Sequence, residues 1–154
     1  MKKEEPLLEI VAGLTQKLLD LLEVKATFKA GQKEGFINID LETESPGVLI
    51  GYHGDALSAF QLILSMMVYR DANEWPRVVV NVGDYRQRRK EALERMAASA
   101  CQKVKFSGKE YELPAMSAAE RRIIHVALAD DSEIGTESRG EGRERRVVIK
   151  PKSA

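Results

Sequence analysis

The chain has one cysteine, two histidines, few aromatic residues and no long apolar run, and each shortage closes a class of function. Cys101 has no partner for an internal disulfide, which fits a reducing compartment and makes a cytoplasmic location the expectation. His53 and His125 lie far apart with that single thiol, so no zinc-site spacing exists, and neither a metal nor a cofactor is expected. No stretch reaches the roughly 18 apolar residues of a bilayer span. The opening MKKEEPLLEI lacks the apolar core and cleavage site of a secretory leader, so no membrane insertion of its own is expected. The patterns G-x-S-x-G, H-E-x-x-H and paired catalytic carboxylates are missing too, as is a Walker glycine spacing with its Lys-Ser/Thr pair. The expectation is a protein that is not an enzyme.

Net charge is also lacking: 24 basic residues meet 24 acidic ones over 154 positions. Nucleic-acid-binding domains are usually basic, but the zero hides a division. From Asp84 to Lys105 seven basic residues face three acids, and from Arg139 to Lys152 six face two, a balance of +4 in each stretch. Segregated charge steers anionic ligands to part of a surface, although solvated helix and strand faces give the same count.

Hydrophobic residues make up 44% of the chain, enough for a core. Leu7, Val11, Leu14, Leu18, Leu21 and Leu22 recur at helical spacing over residues 6–23. AGQKEG then reads as a hairpin turn, followed by the alternating strand Ile37, Ile39 and Leu41. Pro46 and Gly47 open a short helical piece. Asp55 to Tyr69 is apolar nearly all round, so this helix is expected to be covered on most sides, with Met66 and Met67 as core filler. Val78, Val80 and Val82 share one face of a third strand, and Trp75 before it reads as a packing anchor or a stacking platform. The result is an αββααβ unit. A long helix from about Asp84 to Lys105 follows, with an apolar side of Leu93, Met96, Ala97, Ala100 and Val104. After a turn and short strand, Ser117 and Glu120 form an S-x-x-E capping box that opens a helix to about Asp130. Two strands around a glycine-rich turn close the chain.

Two places point to a ligand. Gly51-Tyr52-His53-Gly54 is a G-x-x-G corner at a helix N-terminus, where orphan amides and the positive dipole end suit phosphate and glycines admit a sugar-phosphate backbone. Alone, such a corner is also an ordinary turn into a helix; inside an αββααβ unit it is the loop that clamps single-stranded backbone. Asp55, just after it, opposes phosphate mildly. The second place is AAERRIIHVALADD, where Arg121 and His125, four residues apart, flank a stripe of Ile123, Ile124, Ala127 and Leu128, with Arg122 more exposed. A rim guanidinium beside an imidazole can grip phosphate or stack under a base. The competing reading pairs Arg121 with a carboxylate such as Glu120 or Asp130. Thr136, Ser138, Gly140, Arg145 and Arg146 follow, suited to anion contact.

The order G-x-x-G, apolar helix, ERRIIH and TESRGEGRERRVVIKP resembles the bacterial Jag family across about residues 1–150. The resemblance implies an α+β chain of two modules. Residues 1–84 are a type II KH domain, αββααβ with a three-stranded sheet and helices on one face; residues 85–154 are a small α/β Arg-x-x-x-His domain. It implies that both modules bind single-stranded RNA, or chemically similar single-stranded DNA. The resemblance carries nucleic-acid contact onto Gly51, Tyr52, His53 and Gly54 of the first module and onto Arg121 and His125 of the second; Arg122, Ser138, Arg145 and Arg146 are expected beside them from their residue types. A role as a regulator acting after transcription or in cell-envelope elongation follows. The rival is a protein-interaction adaptor at the ribosome or a membrane-insertion machine, with another KH protein as a further candidate partner. Family members often carry an additional N-terminal Jag domain, which these residues do not match. Family loops usually place Lys or Arg between the glycines, where this chain has Tyr52 and His53.

Overall fold

The computed structural model describes residues 4–152, so the outermost residues of both expected modules lie outside the described region. The chain divides into two compact units, one ending at Arg86 and the other beginning at Gln87.

The first unit begins with helix α1 (Glu4–Leu21), which buries Val11, Leu14, Leu18 and Leu19. Leu21 and Leu22, expected on the inward stripe, are exposed instead, because the helix stops at Leu21 and Leu19 takes the core position. The buried Thr15 hydroxyl donates to the Val11 carbonyl at 2.8 Å, so its burial leaves no orphan donor. Strands β1 (Ala26–Lys33) and β2 (Phe36–Thr43) form an antiparallel hairpin. Its two-residue turn, Glu34–Gly35, has both φ angles positive, as the strand twist favours. Strand β3 (Val78–Val82) runs parallel to β2, giving the order β1-β2-β3. Ile37, Ile39 and Leu41 line up with Val78, Val80 and Val82 on the buried face, as the alternation predicts.

Between β2 and β3 lie the short helix α2 (Pro46–Ile50), a 3-10 turn at Tyr52–Gly54 and helix α3 (Asp55–Ala72). α3 buries Leu57, Phe60, Leu64, Ser65 and Val68. It is not covered on most sides: Leu62, Ile63, Met66 and Tyr69 are exposed, and Met66, expected as core filler, is 55% accessible. Trp75 is exposed as well, its ring tilted against Tyr69 at 5.8 Å, so it anchors no core. A three-stranded sheet with one layer of helices has a single interior, and the far side of α3 has nothing left within the unit to meet.

In the second unit, helix α4 (Tyr85–Ser107) supplies Leu93, Ala97, Ala100, Cys101 and Val104 to a core completed by Leu113, Ile124, Leu128, Ile134, Val147 and Ile149. Strands β4 (Tyr111–Glu112), β5 (Ile134–Arg139) and β6 (Arg146–Pro151) form an antiparallel sheet in the order β4-β6-β5. Helix α5 (Ala118–Ala127) opens with the expected capping box, Ser117 and Glu120 each accepting the other's backbone N–H. It ends sooner than about Asp130. The Asp131 carboxylate accepts the N–H groups of Glu133 and Ile134 and turns the chain into β5. Asp131 also takes Lys105 in an ion pair at 2.8 Å and lies 3.5 Å from the Cys101 thiol. The lysine and the Glu133 N–H pull its carboxyl down to a pKa of about 2, while burial pushes the thiol up.

Candidate nucleic-acid interface

The glycine corner is a bend exposed at Gly51, Tyr52 and His53, while Gly54, expected as a nucleic-acid contact, is buried beneath Tyr85. Gly51 has φ +68°, His53 φ +51° and Gly54 φ +88°, three left-handed residues in four. A methyl group on Gly51 would lie 2.6 Å from the Ala56 Cβ, and one on Gly54 would lie 3.2 Å from the Tyr85 ring. Both glycines are therefore demanded by the bend itself, before any ligand is considered. Two of the amides expected to be free are already used: Gly51 N–H donates to the Gly47 carbonyl and Asp55 N–H to the Tyr52 carbonyl. No side chain caps the turn or the start of α3, and the acid Asp55 stands in the helix's first turn, where it offsets part of the positive dipole end. Tyr52, 75% accessible, stacks on His53 with ring centres 3.9 Å apart, forming one aromatic platform.

The second site is built on α5 and β5. Thr136 and Ser138 alternate with Glu137 on β5, so their hydroxyls share one side of the strand. The His125 ring lies between them, Nδ1 at 2.7 Å from Thr136 Oγ1 and Nε2 at 3.0 Å from Ser138 Oγ. Arg121 Nη1 donates to that same Ser138 oxygen at 3.0 Å. The competing carboxylate reading of Arg121 fails here, because Glu120 turns inward and binds Arg89 at 2.8 Å. Burial first, and the Arg121 charge second, hold the His125 pKa below its ordinary value, so the ring is neutral at physiological pH. Arg121 Nε is buried without a hydrogen-bond partner among the described residues, so the guanidinium is held through Nη1 alone. On α5, Ile124 and Leu128 are buried as expected, Ile123 is half-buried and Ala127 is exposed.

The other expected contacts fall differently. Arg122 is exposed on α5. Arg145 donates to the Gly140 carbonyl at 3.3 Å. Arg146 is held by Glu144 at 3.1 Å and Glu112 at 3.6 Å. Arg139 binds Glu110 with both terminal nitrogens and also Glu137, which in turn takes Lys150. Sequence reasoning missed this ionic ladder. The basic count of the last stretch gave no hint that Glu110, Glu112 and Glu137 would meet it; the spacing of two between Glu137 and Arg139 was the one local signal that could have found part of it.

Among the described residues no cluster of His, Cys, Asp or Glu could hold a metal ion, and no helix is long and apolar enough to cross a membrane. Residues 8–82 match the family described as KhpA/KhpB, KH domain, and residues 91–151 match the domain family named for its Arg-x-x-x-His signature. The chain is 33% identical over 150 residues to RNA-binding protein KhpB of Clostridium symbiosum, covering 96% of this chain and 68% of that protein. It is 32% identical over 139 residues to the KhpB of Streptococcus pneumoniae serotype 2, covering 90% of this chain but only 42% of the relative. Against the Bacillus subtilis KhpB it is 28% identical over 139 residues, covering 89% of this chain and 67% of the relative.

Proposed function

The chain belongs to the KhpB (Jag) family, in which a KH domain is joined to an Arg-x-x-x-His domain, and we propose that it binds single-stranded RNA through both modules without catalysing a reaction. The observation that carries this reading is the Arg121–Ser138–His125–Thr136 chain. It holds a guanidinium at the rim of α5 by one nitrogen and leaves its Nε–H without a partner. A planar cation fixed in this way suits a phosphate oxygen or the face of a base. The neutral His125 keeps the cation oriented and adds no charge of its own. In the KH module the exposed Tyr52–His53 platform supports contact with a backbone and an unstacked base in place of loop lysines. Arg122, Arg145 and Arg146 are peripheral contacts in this reading, the last available to RNA only when its ion pairs open. Two weak sites on one chain raise each other's effective concentration. A cytoplasmic regulator acting after transcription or in cell-envelope elongation is the role this activity serves.

Titration of the full chain with fluorescent single-stranded RNA oligomers at low salt tests the proposal. Binding is expected, weakened by Arg121→Ala and again by the pair Tyr52→Asp and His53→Asp; absence of binding by the unaltered chain would overturn it. Single-stranded DNA in the same assay reports how much the 2′-hydroxyl matters. One observation favours the adaptor reading beside it: the exposed apolar side of α3, with Leu62, Ile63, Met66 and Tyr69, is a surface on which a protein partner, another KH protein or a membrane-insertion machine, could dock. A pull-down that survives nuclease treatment and fails with Met66→Asp would support it.

A further inference from the structure

The first unit carries an open groove of about 1180 Å³ at the end of α1, lined by Leu22, Glu23, Val24, Lys25, Glu42 and Glu44 together with the start of β1 and Val48 of α2. Its acids differ from most of those in the second unit. There, Glu110, Glu112, Glu120, Asp131, Glu133, Glu137 and Glu144 are all ion-paired. In the groove, Asp20 meets only the Gln16 amide, and Glu23, Glu42 and Glu44 have no ion-pair partner among the described residues. Against these four carboxylates the lining sets one cation, Lys25. Between the carboxylates the same lining exposes aliphatic surface: Leu22 is 51% and Val48 61% accessible. An acidic concavity repels a polynucleotide, and an aliphatic floor gives nothing to a bare metal ion.

We propose that this groove is a docking site for a basic protein segment, an extended stretch in which lysines or arginines alternate with aliphatic side chains. The cations answer the unpaired carboxylates, and the aliphatic side chains cover Leu22 and Val48. The proposal does not depend on RNA binding, since it uses no residue of the glycine corner or of the Arg121 site.

The test uses the full chain and a fluorescent peptide of alternating arginine and leucine, about eight residues long, followed by anisotropy at low salt. Saturable binding is expected. The triple variant Glu23→Gln, Glu42→Gln, Glu44→Gln should weaken it about ten-fold, the product of three exposed ion pairs, with the unfolding temperature unchanged. Leu22→Ser with Val48→Ser should weaken it several-fold, and Glu34→Gln with Glu74→Gln, outside the groove, should leave it unaltered. An oligolysine of equal charge should bind more weakly than the alternating peptide. Equal affinity of the triple variant and the unaltered chain overturns the proposal, as does equal binding of the oligolysine. A fall in the triple variant's affinity for single-stranded RNA would give the groove to nucleic acid, and loss of a dimer in that variant would give it to a second copy; either result overturns it.

Discussion

Ser138→Ala removes one oxygen and leaves two groups without their partner, which makes it the sharpest probe of the Arg121–His125 site. In the intact protein that oxygen accepts from Arg121 Nη1 at 3.0 Å and lies 3.0 Å from His125 Nε2. A hydrogen bond to a charged group contributes about 1.5–3 kcal/mol and one to a neutral group about 0.5–1.5 kcal/mol. Both side chains are half-buried, so water replaces part of each loss, and a net cost of about 2 kcal/mol is expected. For a unit of this size each kcal/mol moves the unfolding midpoint by about 4–8 °C, so calorimetry should show a drop of about 8–16 °C. Thr136→Val removes a single contact of His125 and should cost about half as much. Single-strand affinity should fall with Ser138→Ala as well, because the guanidinium loses its strut while keeping its charge. An unchanged midpoint together with unchanged affinity would show that the Ser138 hydroxyl holds neither side chain, and the strut reasoning would be wrong.

The corner makes a paired prediction. Gly51→Ala forces a methyl into Ala56 at φ +68° and should destabilise the KH unit by about 2–4 kcal/mol, whereas Gly47→Ala meets nothing within 4 Å and should be neutral or slightly stabilising; matched midpoints would refute the account of the bend. Asp131, its pKa lowered to about 2 from 3.8, contributes stability above its unfolded value that is lost as pH falls through the folded one. Asp131→Asn should therefore melt lower than the unaltered chain at neutral pH and converge with it between about pH 4 and pH 2; a constant gap down to the acid end would contradict this. Because most cations of the last strand are engaged, single-strand affinity should fall gently with salt, with a slope of about −2 on logarithmic axes for some three phosphates. A slope near −5 would mean that the ion pairs open on binding.

Much of the fold was legible because it rests on periodicity that one layer of packing enforces. The strands Ile37–Ile39–Leu41 and Val78–Val80–Val82 alternate, and alternation has only one way to be half-buried. The capping box at Ser117 depends on residues three apart and needs no tertiary information. The errors concern what stands opposite an element and where a helix ends. An all-round apolar α3 reads as enclosed, yet enclosure needs a second layer that the unit does not have. Leu21 is the last residue of α1 and Leu22 lies beyond it, so the helical stripe they continue has no further turn to bury it. Of the site, the neighbourhood of Arg121 and His125 follows from a spacing of four on one helix, and the chain supplies Thr136 and Ser138 soon after. That Glu120 of α5 would turn inward to Arg89 of α4 depended on how two helices meet. That Arg139, Arg146 and Lys150 would be met by Glu110, Glu112 and Glu137 depended largely on strand pairing across the sheet; neither is encoded in a local pattern.

These ion pairs also explain how a chain of zero net charge can serve a polyanion. Charge that is locked in pairs lends little field beyond its neighbours, so the sum of 24 and 24 says less than the list of cations left unpaired. On the sheet of the second unit, Arg139 and Lys150 are held by Glu110 and Glu137, and Arg146 by Glu112 and Glu144. The Lys152 ammonium is spent on the Asp131 carbonyl. Besides Lys152, the cations near β5 without an ion pair among the described residues are Arg121, tethered by one hydroxyl, Arg122 beside it, Arg143 in the following turn and Arg145, which meets only the Gly140 carbonyl. Attraction from so few charges is weak and short-ranged, which makes orientation count for more than charge density. In the proposed reading a rigidly held guanidinium and two stacked rings each favour a strand that is flexible enough to bring one phosphate or one base to each of them. A stiff duplex offers its phosphates on a fixed lattice and keeps its bases stacked inside, so it can satisfy fewer of these contacts at once. The proposed preference for single strands is the one this geometry supports, even though the electrostatic total is nil.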